Sequence, residues 1–555
     1  LSTGGLNPIG YTLFLEPLLA VSGLDTVAAV QHLIGIGVAV AVYALALRFG
    51  ARRWLAALAA APMLLDAYQL QIEQLIMSDL LFEALLVAVV WVLISRGSPT
   101  QRRIIVAGLL IGASVTVRSV GITLIVPALA YLVLIGAKWR YPGGWRQIGS
   151  RVAAFVVACG VVLAGHAVYS MISTGNPGVT AQTGNVLYGR TAVVADCTKL
   201  KLDPYERQMC PDEPLGARMG VDAYAHRDGD ANWPAVVPEG TNRSAMMAAF
   251  AWDVIKEQPL DVARAILVDF GKGFSPIRST LPGDVAVERW QFQDYYPLFA
   301  SQEYTDSTLV RYSGEPASVN TALAGFLRAY QLHGGYTPGP LQAAALVLGL
   351  FGSLGVASRG SGMRSTTALV TGLALTLLLT SAAFEFSWRY QLPTVSLLPL
   401  AGVLGLTALL GPLRRPKQVK HRPKLTEFPD QVDFAALTEF AERYGEPAMA
   451  PVVVVIAAYN EESGIGSVLD DVPKRALDMD VDVLVVSDGS RDATATVARE
   501  HGAYVCLAPR NRGQGAALRL AYRLAAAHGA RYVVSTDADG QYDNTELDKL
   551  LCPLV

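Results

Sequence analysis

Apolar and polar positions divide this chain into two regimes. Up to residue 411, long apolar stretches recur at 27–47, 54–69, 79–95, 104–117, 120–137, 152–172, 341–358, 365–384 and 390–411. Most approach the roughly 20 residues a helix needs to cross the hydrocarbon of a bilayer, so the pattern predicts nine spans. As one helix, 104–137 would run about 50 Å against about 30 Å of hydrocarbon. A hairpin turning near Arg118 and Ser119 is therefore expected. Residues 8–22 are apolar but hold Pro8, Glu16 and Pro17, which suits a surface-lying or re-entrant helix better than a span. His32, near the start of the first clear span, reads as a packing residue.

From residue 451 the period changes. Val452 to Ile456, Val481 to Ser487, Tyr504 to Leu507 and Tyr532 to Thr536 are short apolar runs of the buried-strand type. Helical patterns alternate with them, notably Ala493 to Glu500, with Ser490 and Asp492 both placed to cap it, and Ala516 to Ala527. That alternation predicts a parallel sheet. Ligands of such sheets sit outside the carboxyl ends of the strands. Tyr459, Glu461, Asp488, Asp537, Asp539 and Gln541 all fall at that edge.

Two other segments complete the plan. Residues 173–340 form a polar insertion too long for a plain loop. It is expected to fold as a small α/β or mainly helical domain, with amphipathic helices at Ser244 to Lys256 and Leu260 to Gly271. Leu413 to Lys424 is a basic, proline-broken linker suited to an anionic membrane surface. Asp433 to Tyr444 places Phe434, Leu437, Phe440 and Ala441 at helical spacing. The pattern leaves open whether this helix packs on the following domain or lies on the membrane. The expected organisation is membrane helices at 1–172, an extracytoplasmic domain at 173–340, membrane helices at 341–411, linker and amphipathic helix at 412–450, and an α/β domain at 451–555.

Composition agrees: 52% of residues are hydrophobic and 17% charged, a membrane-like balance. The net charge of −2 argues against a nucleic-acid binder. Eighteen Lys and Arg residues fall in the expected inner loops and linker, among them Arg48, Arg96, Lys138, Arg140 and Arg414, while the short outer loops hold only Arg118 and Arg389. By the positive-inside rule this predicts a multi-pass cell-membrane protein with 173–340 extracytoplasmic and 412–555 cytoplasmic. Cys197 and Cys210 then share an oxidising compartment and a short loop, which favours a disulfide over two buried thiols. Cys159, Cys506 and Cys552 read as packing residues, and no Cys/His cluster has zinc spacing. Leu1 opens no signal-peptide pattern, so a piece cut from a longer protein at both ends is expected.

The sharpest chemical signal is Asp537-Ala538-Asp539-Gly540-Gln541. Two carboxylates and an amide at a strand end offer the hard oxygen ligands that Mg²⁺ or Mn²⁺ shares with substrate phosphates. Alone, such a pair is as readily a solvated surface turn. The residues sharing its sheet edge make it a site.

Residues 451–555 resemble the front half of a family 2 glycosyltransferase of GT-A fold, in particular dolichol-phosphate-mannose synthases and their polyprenyl-phosphate relatives. The matching pieces are Ala458-Tyr459-Asn460-Glu461, Ser487-Asp488-Gly489-Ser490 with Asp492 and Thr494, Asn511-Arg512-Gly513-Gln514-Gly515-Ala516 and the acidic motif. The resemblance implies an α/β, Rossmann-like domain, incomplete here. It implies a nucleotide held by Ala457, Tyr459, Glu461, Asp488 and Ala538. It implies a metal on Asp537, Asp539 and Gln541, with Asp539 catalytic. Ala457 stands where the family usually has proline, and Ser487 where a second aspartate is common.

The membrane part is similar, more loosely, to GT-C glycosyltransferases that use lipid-phosphate sugars. The pieces are Asn7-Pro-Ile-Gly-Tyr11, Val30-Gln31-His32, Glu73 with Met77-Ser-Asp79, Gly108 to Gly112 leading to Val117-Arg118, and Trp388-Arg389-Tyr-Gln-Leu-Pro393. Arg118 and Arg389 lie near the expected outer membrane edge, where a charge is costly and often functional. Each is a candidate partner for a lipid phosphate; snorkelling is the alternative for Arg389. Glu73 and Asp79 are placed to polarise an acceptor hydroxyl; the alternative is that Ser78 or Asp79 caps the span at 79–95.

Three readings follow. The leading one is a membrane-bound glycosyltransferase: a cytoplasmic domain moves sugar from a GDP- or UDP-sugar to a polyprenyl phosphate, and a membrane module uses lipid-linked sugar on the outer face. The others are a processive polysaccharide synthase, and a glycosyltransferase attached to a non-catalytic anchor or flippase.

Overall fold

The computed structural model describes residues 8–94, 99–137, 144–174, 183–226, 242–293, 295, 302–313, 319–355, 361–410, 431–540 and 544–552. The chain divides into two compact units, Leu1–Leu413 and Arg414–Val555. The basic residues Arg96, Lys138 and Arg140 and the linker 412–430 lie outside the described residues.

The first unit is mainly helical where described, and each apolar stretch read from the sequence falls largely on helix over its described residues. Three helices are long and apolar enough to cross a membrane: Leu24–Arg48, Trp145–Ser173 and Met363–Phe384. Two further pairs, Arg53–Leu65 with Ala67–Gln74 and Trp388–Thr394 with Leu397–Leu410, qualify only if each bent pair is one span. The described helices thus give three to five spans by this measure, where nine were expected. Gln101–Val117 has 17 residues, about 25 Å against about 30 Å of hydrocarbon, and the helix Asp79–Ile94 runs to the limit of the described residues.

The hairpin expected at Arg118 is present. Gln101–Val117 stops at Arg118, a short 3₁₀ turn covers Ser119–Leu124, and Ile125–Ala137 returns. Gly121 makes the fold-back possible, since a Cβ there would meet Ser114 Oγ and Val115 N at 2.8 Å. His32 is more than packing: its Nδ1 lies 2.9 Å from Glu73 Oε2 and its Nε2 3.1 Å from Gln74 Oε1.

The regular elements of the described insertion are helices, including Arg243–Glu257 and Pro259–Lys272, joined by turns and irregular segments. It has its own core of Tyr188, Tyr224, Met247, Phe250 and Val254. Cys197 and Cys210 are disulfide-bonded, with Cα atoms 6.2 Å apart. Arg278 ties the insertion to the apolar helices: it pairs with Asp66 at 2.8 Å, and both side chains are at most 5% exposed. Asp66 also accepts the Thr337 and Tyr68 amides and caps the helix Ala67–Gln74. A buried carboxylate is tolerated when its oxygens are so fully used.

The second unit is a doubly wound α/β domain. Its strands are β1 (Val452–Ala458), β2 (Arg475–Ala476), β3 (Met479–Asp488), β4 (Tyr504–Ala508) and β5 (Tyr532–Asp537). β1 lies between β3 and β5, β4 pairs with β3, and all four are parallel; β2 adds a short antiparallel pair to β3. Five consecutive β-branched residues open β1 and are all buried, as a central parallel strand requires. Alternate residues feed the two faces. Val452, Val454, Ile456, Val485 and Val505 pack with the helix Ile465–Asp470. Val453, Val455, Leu484, Val486 and Cys506 pack with Gln514–Ala527. The helix Gln431–Tyr444 joins this second face through Ala436, Leu437 and Phe440. The sequence had left its location open; here it completes one layer of the sheet. Burial pushes the Cys506 thiol up to about 12, so Cys506 is an inert packing group.

Candidate functional site

The strand order reverses between β1 and β5, because the chain runs from β1 outward through β3 and β4 and then returns to the far side of β1. Such a switch point opens a crevice at the carboxyl ends of the strands. Ala457 of β1 and Asp537 of β5 are register partners there, and Ala458 faces Ser487 of β3. The described residues expected at one edge, Tyr459, Glu461, Asp488, Asp537 and Asp539, do share it.

Asp488 ends β3 and is 2% exposed. Its Oδ2 accepts the backbone N–H groups of Arg512 at 2.8 Å and Gly513 at 2.7 Å. Charge-assisted bonds of this kind fix both the carboxylate and the loop that donates to it. The turn after Asp488 depends on glycine: Gly489 has φ +75°, and a Cβ there would stand 2.3 Å from Asn511 N. The loop following β1 is bound just as tightly to the start of the next βα unit. Asn460, at φ 55°, accepts the Arg491 amide on Oδ1 at 2.9 Å, and its own amide reaches Ser490 Oγ at 3.2 Å. Glu461 N donates to Thr494 Oγ1 at 2.8 Å.

Asp492 and Glu462 exchange bonds across the same gap, through Glu462 N to Asp492 Oδ2 and Ala493 N to Glu462 Oε2, each at 3.1 Å. The Thr494 hydroxyl and backbone amides hold the Asp492 carboxyl below the usual carboxylate range. Neither capping candidate is the N-cap of the helix Thr494–Glu500, which falls at Ala493 without a side-chain cap bond; Asp492 accepts Thr494 N at 3.1 Å in the turn that leads into it. Ser490 instead receives the Ser487 hydroxyl at 2.9 Å.

Toward solvent, Tyr459 is 45% exposed, while Ala538 is buried against Ile465 and Val468. Asp537 is half-buried and Asp539 exposed. Asp537 Oδ1 accepts from Gln514 Nε2 at 2.8 Å. Gln541 lies outside the described residues. Three contributors had been given no role from sequence: Asn460, Gln514, and the 512–513 amides. The signal was present in Asn511-Arg-Gly-Gln-Gly515, where Gly513 takes φ +88° and opens the helix Gln514–Ala527.

The model of glycosyl transferase family 2 matches residues 453–554. This segment is a family 2 glycosyltransferase domain. Over 111 residues the chain is 37% identical to a dolichyl-phosphate beta-glucosyltransferase of Drosophila melanogaster, covering 18% of this chain and 33% of that one. It is 34% identical over 110 residues to glycosyltransferase AglJ of Haloferax volcanii, covering 20% and 34%. It is also 34% identical over 104 residues to an uncharacterized protein of Methanocaldococcus jannaschii, covering 19% and 42%. The chain spans less than half the length of these curated relatives. No solved structure matches it. The family 2 domain coincides with the α/β unit apart from the helix Gln431–Tyr444, which precedes the matched residues.

In the helical unit, Arg118 and Arg389 converge on one carboxylate. Arg389 Nη2 and Nε lie 2.6 and 3.0 Å from Asp79 Oδ2, and Arg118 Nη1 donates to Asp79 Oδ1. Asp79 is 3% exposed and the arginines 15% and 20%. Arg389 therefore does not snorkel, and Asp79 serves an ion cluster. Two guanidiniums on one carboxylate leave an excess positive charge, rimmed by the rings of Trp290, Tyr390 and Phe82.

Proposed function

We propose that this chain is a membrane-bound glycosyltransferase whose family 2 domain transfers a sugar from a nucleoside-diphosphate sugar, GDP- or UDP-linked, to a polyprenyl phosphate. The carrying observation is the convergence of Asp488, Asp537 and Asp539 with the Tyr459–Glu461 loop on the switch-point crevice. In this reading Ala457, Tyr459, Glu461, Asp488 and Ala538 border the nucleotide. The fixed 512–513 loop keeps Asp488 from swinging out.

Asp537 and Asp539 fit a hard divalent cation, because Mg²⁺ is commonly bound through one or two carboxylates plus substrate phosphates. Gln514 holds one Asp537 oxygen in place. Mg²⁺ or Mn²⁺ bound there, with Gln541 as a further ligand, would offset the charge developing on the diphosphate leaving group. A polyprenyl phosphate already carries an anionic oxygen nucleophile, so this chemistry asks no strong general base of the chain.

The helical unit is read as a module that uses lipid-linked sugar. Its support is the Asp79–Arg118–Arg389 cluster, whose excess positive charge and aromatic rim suit a lipid phosphate. Residues 173–340 are then extracytoplasmic and 412–555 cytoplasmic, where nucleotide sugars are made.

The test incubates membranes carrying the chain with Mg²⁺ and labelled GDP- and UDP-sugars, then extracts the lipid. A single sugar on an organic-soluble lipid is expected, and Asp539→Ala should abolish it. A polymeric product, or labelling that survives Asp539→Ala, overturns the reading.

A further inference from the structure

The last helix of the insertion, Thr321–Leu332, has its polarity turned inside out. Its one charged residue, Arg328, points inward, where Nη1 donates to the Phe292 carbonyl at 2.6 Å and to Gln293 Oε1 at 3.1 Å. Gln331 is fully buried beside it. Its Nε2 donates to the Trp290 carbonyl at 3.3 Å, and its Oε1 accepts the Phe292 amide at 2.8 Å. The apolar residues face the other way. Leu323 and Phe326 are 55% and 68% exposed, and Tyr330 is exposed along the same stripe. Ala322, Gly325 and Ala329 fill the exposed surface around them, so it carries no charge.

A helix on the surface of a water-soluble domain shows the reverse arrangement, with its polar side outward. The helix Arg243–Glu257 of the same insertion obeys that rule. It buries Met246, Met247, Phe250 and Val254 and turns Lys256 and Glu257 to solvent. An exposed apolar face without a charge marks contact with another apolar phase.

Its connections assign that phase to lipid. The Tyr330 hydroxyl donates to the Leu65 carbonyl at 2.6 Å. Leu65 ends the helix Arg53–Leu65, whose Trp54, Leu58 and Leu65 are themselves exposed. Gly335 reinforces the joint, donating to the Tyr330 carbonyl at 2.9 Å and accepting the Ala67 amide at 2.7 Å. Residues 333–338 then lead into the apolar helix Gly339–Leu354, where Leu341, Phe351 and Leu354 are exposed. The apolar face is thus fastened to one apolar helix of the membrane unit and continues along the chain into another. A tyrosine with its ring outward and its hydroxyl bonded suits the boundary between lipid and water.

We infer that the helix Thr321–Leu332 lies in the outer interface of the bilayer with Leu323 and Phe326 among the acyl chains; the inference rests on the membrane-spanning reading of the helical unit and on neither enzymatic assignment. In-plane helices sink their apolar face about 5–10 Å into the boundary of headgroups and acyl chains. The polar side, which such a helix usually shows to water, is covered here by residues 290–293. The same bonds give the lipid contact a consequence. Gln331 holds the backbone at Trp290, whose ring centroid lies 5.3 Å from the Arg389 guanidinium. A helix seated in lipid therefore supports the segment that covers the double-arginine cluster.

The test places a nitroxide spin label on the full chain in phosphatidylcholine–phosphatidylglycerol nanodiscs. It compares collisions with oxygen, which concentrates in lipid, and with a nickel chelate, which stays in water. Cys552→Ser removes the exposed free cysteine, and Leu323→Cys, Phe326→Cys, Leu58→Cys and Lys256→Cys carry the label one at a time. Labels at 323 and 326 should favour oxygen severalfold, as the label at 58 does, while the label at 256 favours nickel. A preference for nickel at 323 or 326, with 58 in lipid, overturns the inference and leaves the membrane reading standing. A preference for nickel at 58 as well overturns both. Protection of 323 and 326 from both probes shows that protein covers the face, a second copy or another partner, and also overturns the inference.

Discussion

The Asp433 carboxylate accepts a hydrogen bond from Arg512 Nη2 at 2.5 Å, with the two side chains 12% and 14% exposed. Arg512 contributes its backbone N–H to Asp488. A helix outside the residues matched by the family model thus holds the loop that fixes a candidate nucleotide residue. Asp433→Ala should raise KM for the nucleotide sugar several-fold, leave kcat within about twofold, and cost about 1–3 kcal/mol of stability. Asp433→Glu should recover much of the KM. Steady-state kinetics on extracted lipid product check this; a fall in kcat alone would mean that the helix merely supports the fold.

Gly489 makes a second check on the same loop. Its φ of +75° and the 2.3 Å approach of Asn511 N leave no room for a side chain. Gly489→Ala should displace the 510–513 loop and lower nucleotide-sugar affinity tenfold or more, because left-handed strain adds about 1–2 kcal/mol to the clash. Equilibrium binding of GDP and UDP measures it.

Asp79 carries two arginines. Asp79→Ala leaves both largely buried guanidiniums without their carboxylate. Stranding buried charge of this kind costs about 3–5 kcal/mol. Thermal unfolding of the detergent-solubilised chain should shift down by several degrees. An unchanged midpoint would show that the cluster contributes no stability.

The disulfide should act locally. Cys197 and Cys210 close a loop with a sequence separation of 13, for which loss of the bridge costs about 3 kcal/mol. Cys197→Ser should make the insertion protease-sensitive while sparing lipid labelling by the family 2 domain. Reductant should reproduce the effect on the wild-type chain.

Glu385 predicts a pH dependence. Its folded pKa, about 7, lies above its ordinary 4.5. The folded state therefore holds the proton more tightly, and the unfolded state binds fewer protons between those values. Stability should fall as pH rises from about 4.5 to about 7 and then level off. Asp222, His226, Arg190 and Arg289 face this group and set the size of the effect. Glu385→Gln should flatten the slope in that window in thermal melts; an unaltered slope would assign it to another group.

Much of the family 2 domain was legible along the chain. Val452 to Ile456 reads as a central strand because five adjacent β-branched residues suit only a sheet buried on both faces. The acidic motif could be put on the same rim as Tyr459 and Asp488 because parallel strands all end on one side. The helix Gln431–Tyr444 was legible as a helix but its packing partner was not, since an amphipathic face fits a membrane surface and a sheet alike. The bend within the apolar stretch 54–69 was not legible either, because hydropathy registers apolar length while Pro62 and the break after Leu65 redirect the helix path.

By itself, then, the sequence determined element types, the parallel α/β alternation and the chemistry gathered at its edge, all governed by neighbours a few residues apart. Only the tertiary structure decided which charges meet. Arg389 reaches Asp79 across 310 positions, Arg278 reaches Asp66 across 212, and Arg190 reaches Asp269 across 79. No local periodicity encodes such pairings. They form because a charge withdrawn from water must find its counterpart wherever packing has brought one.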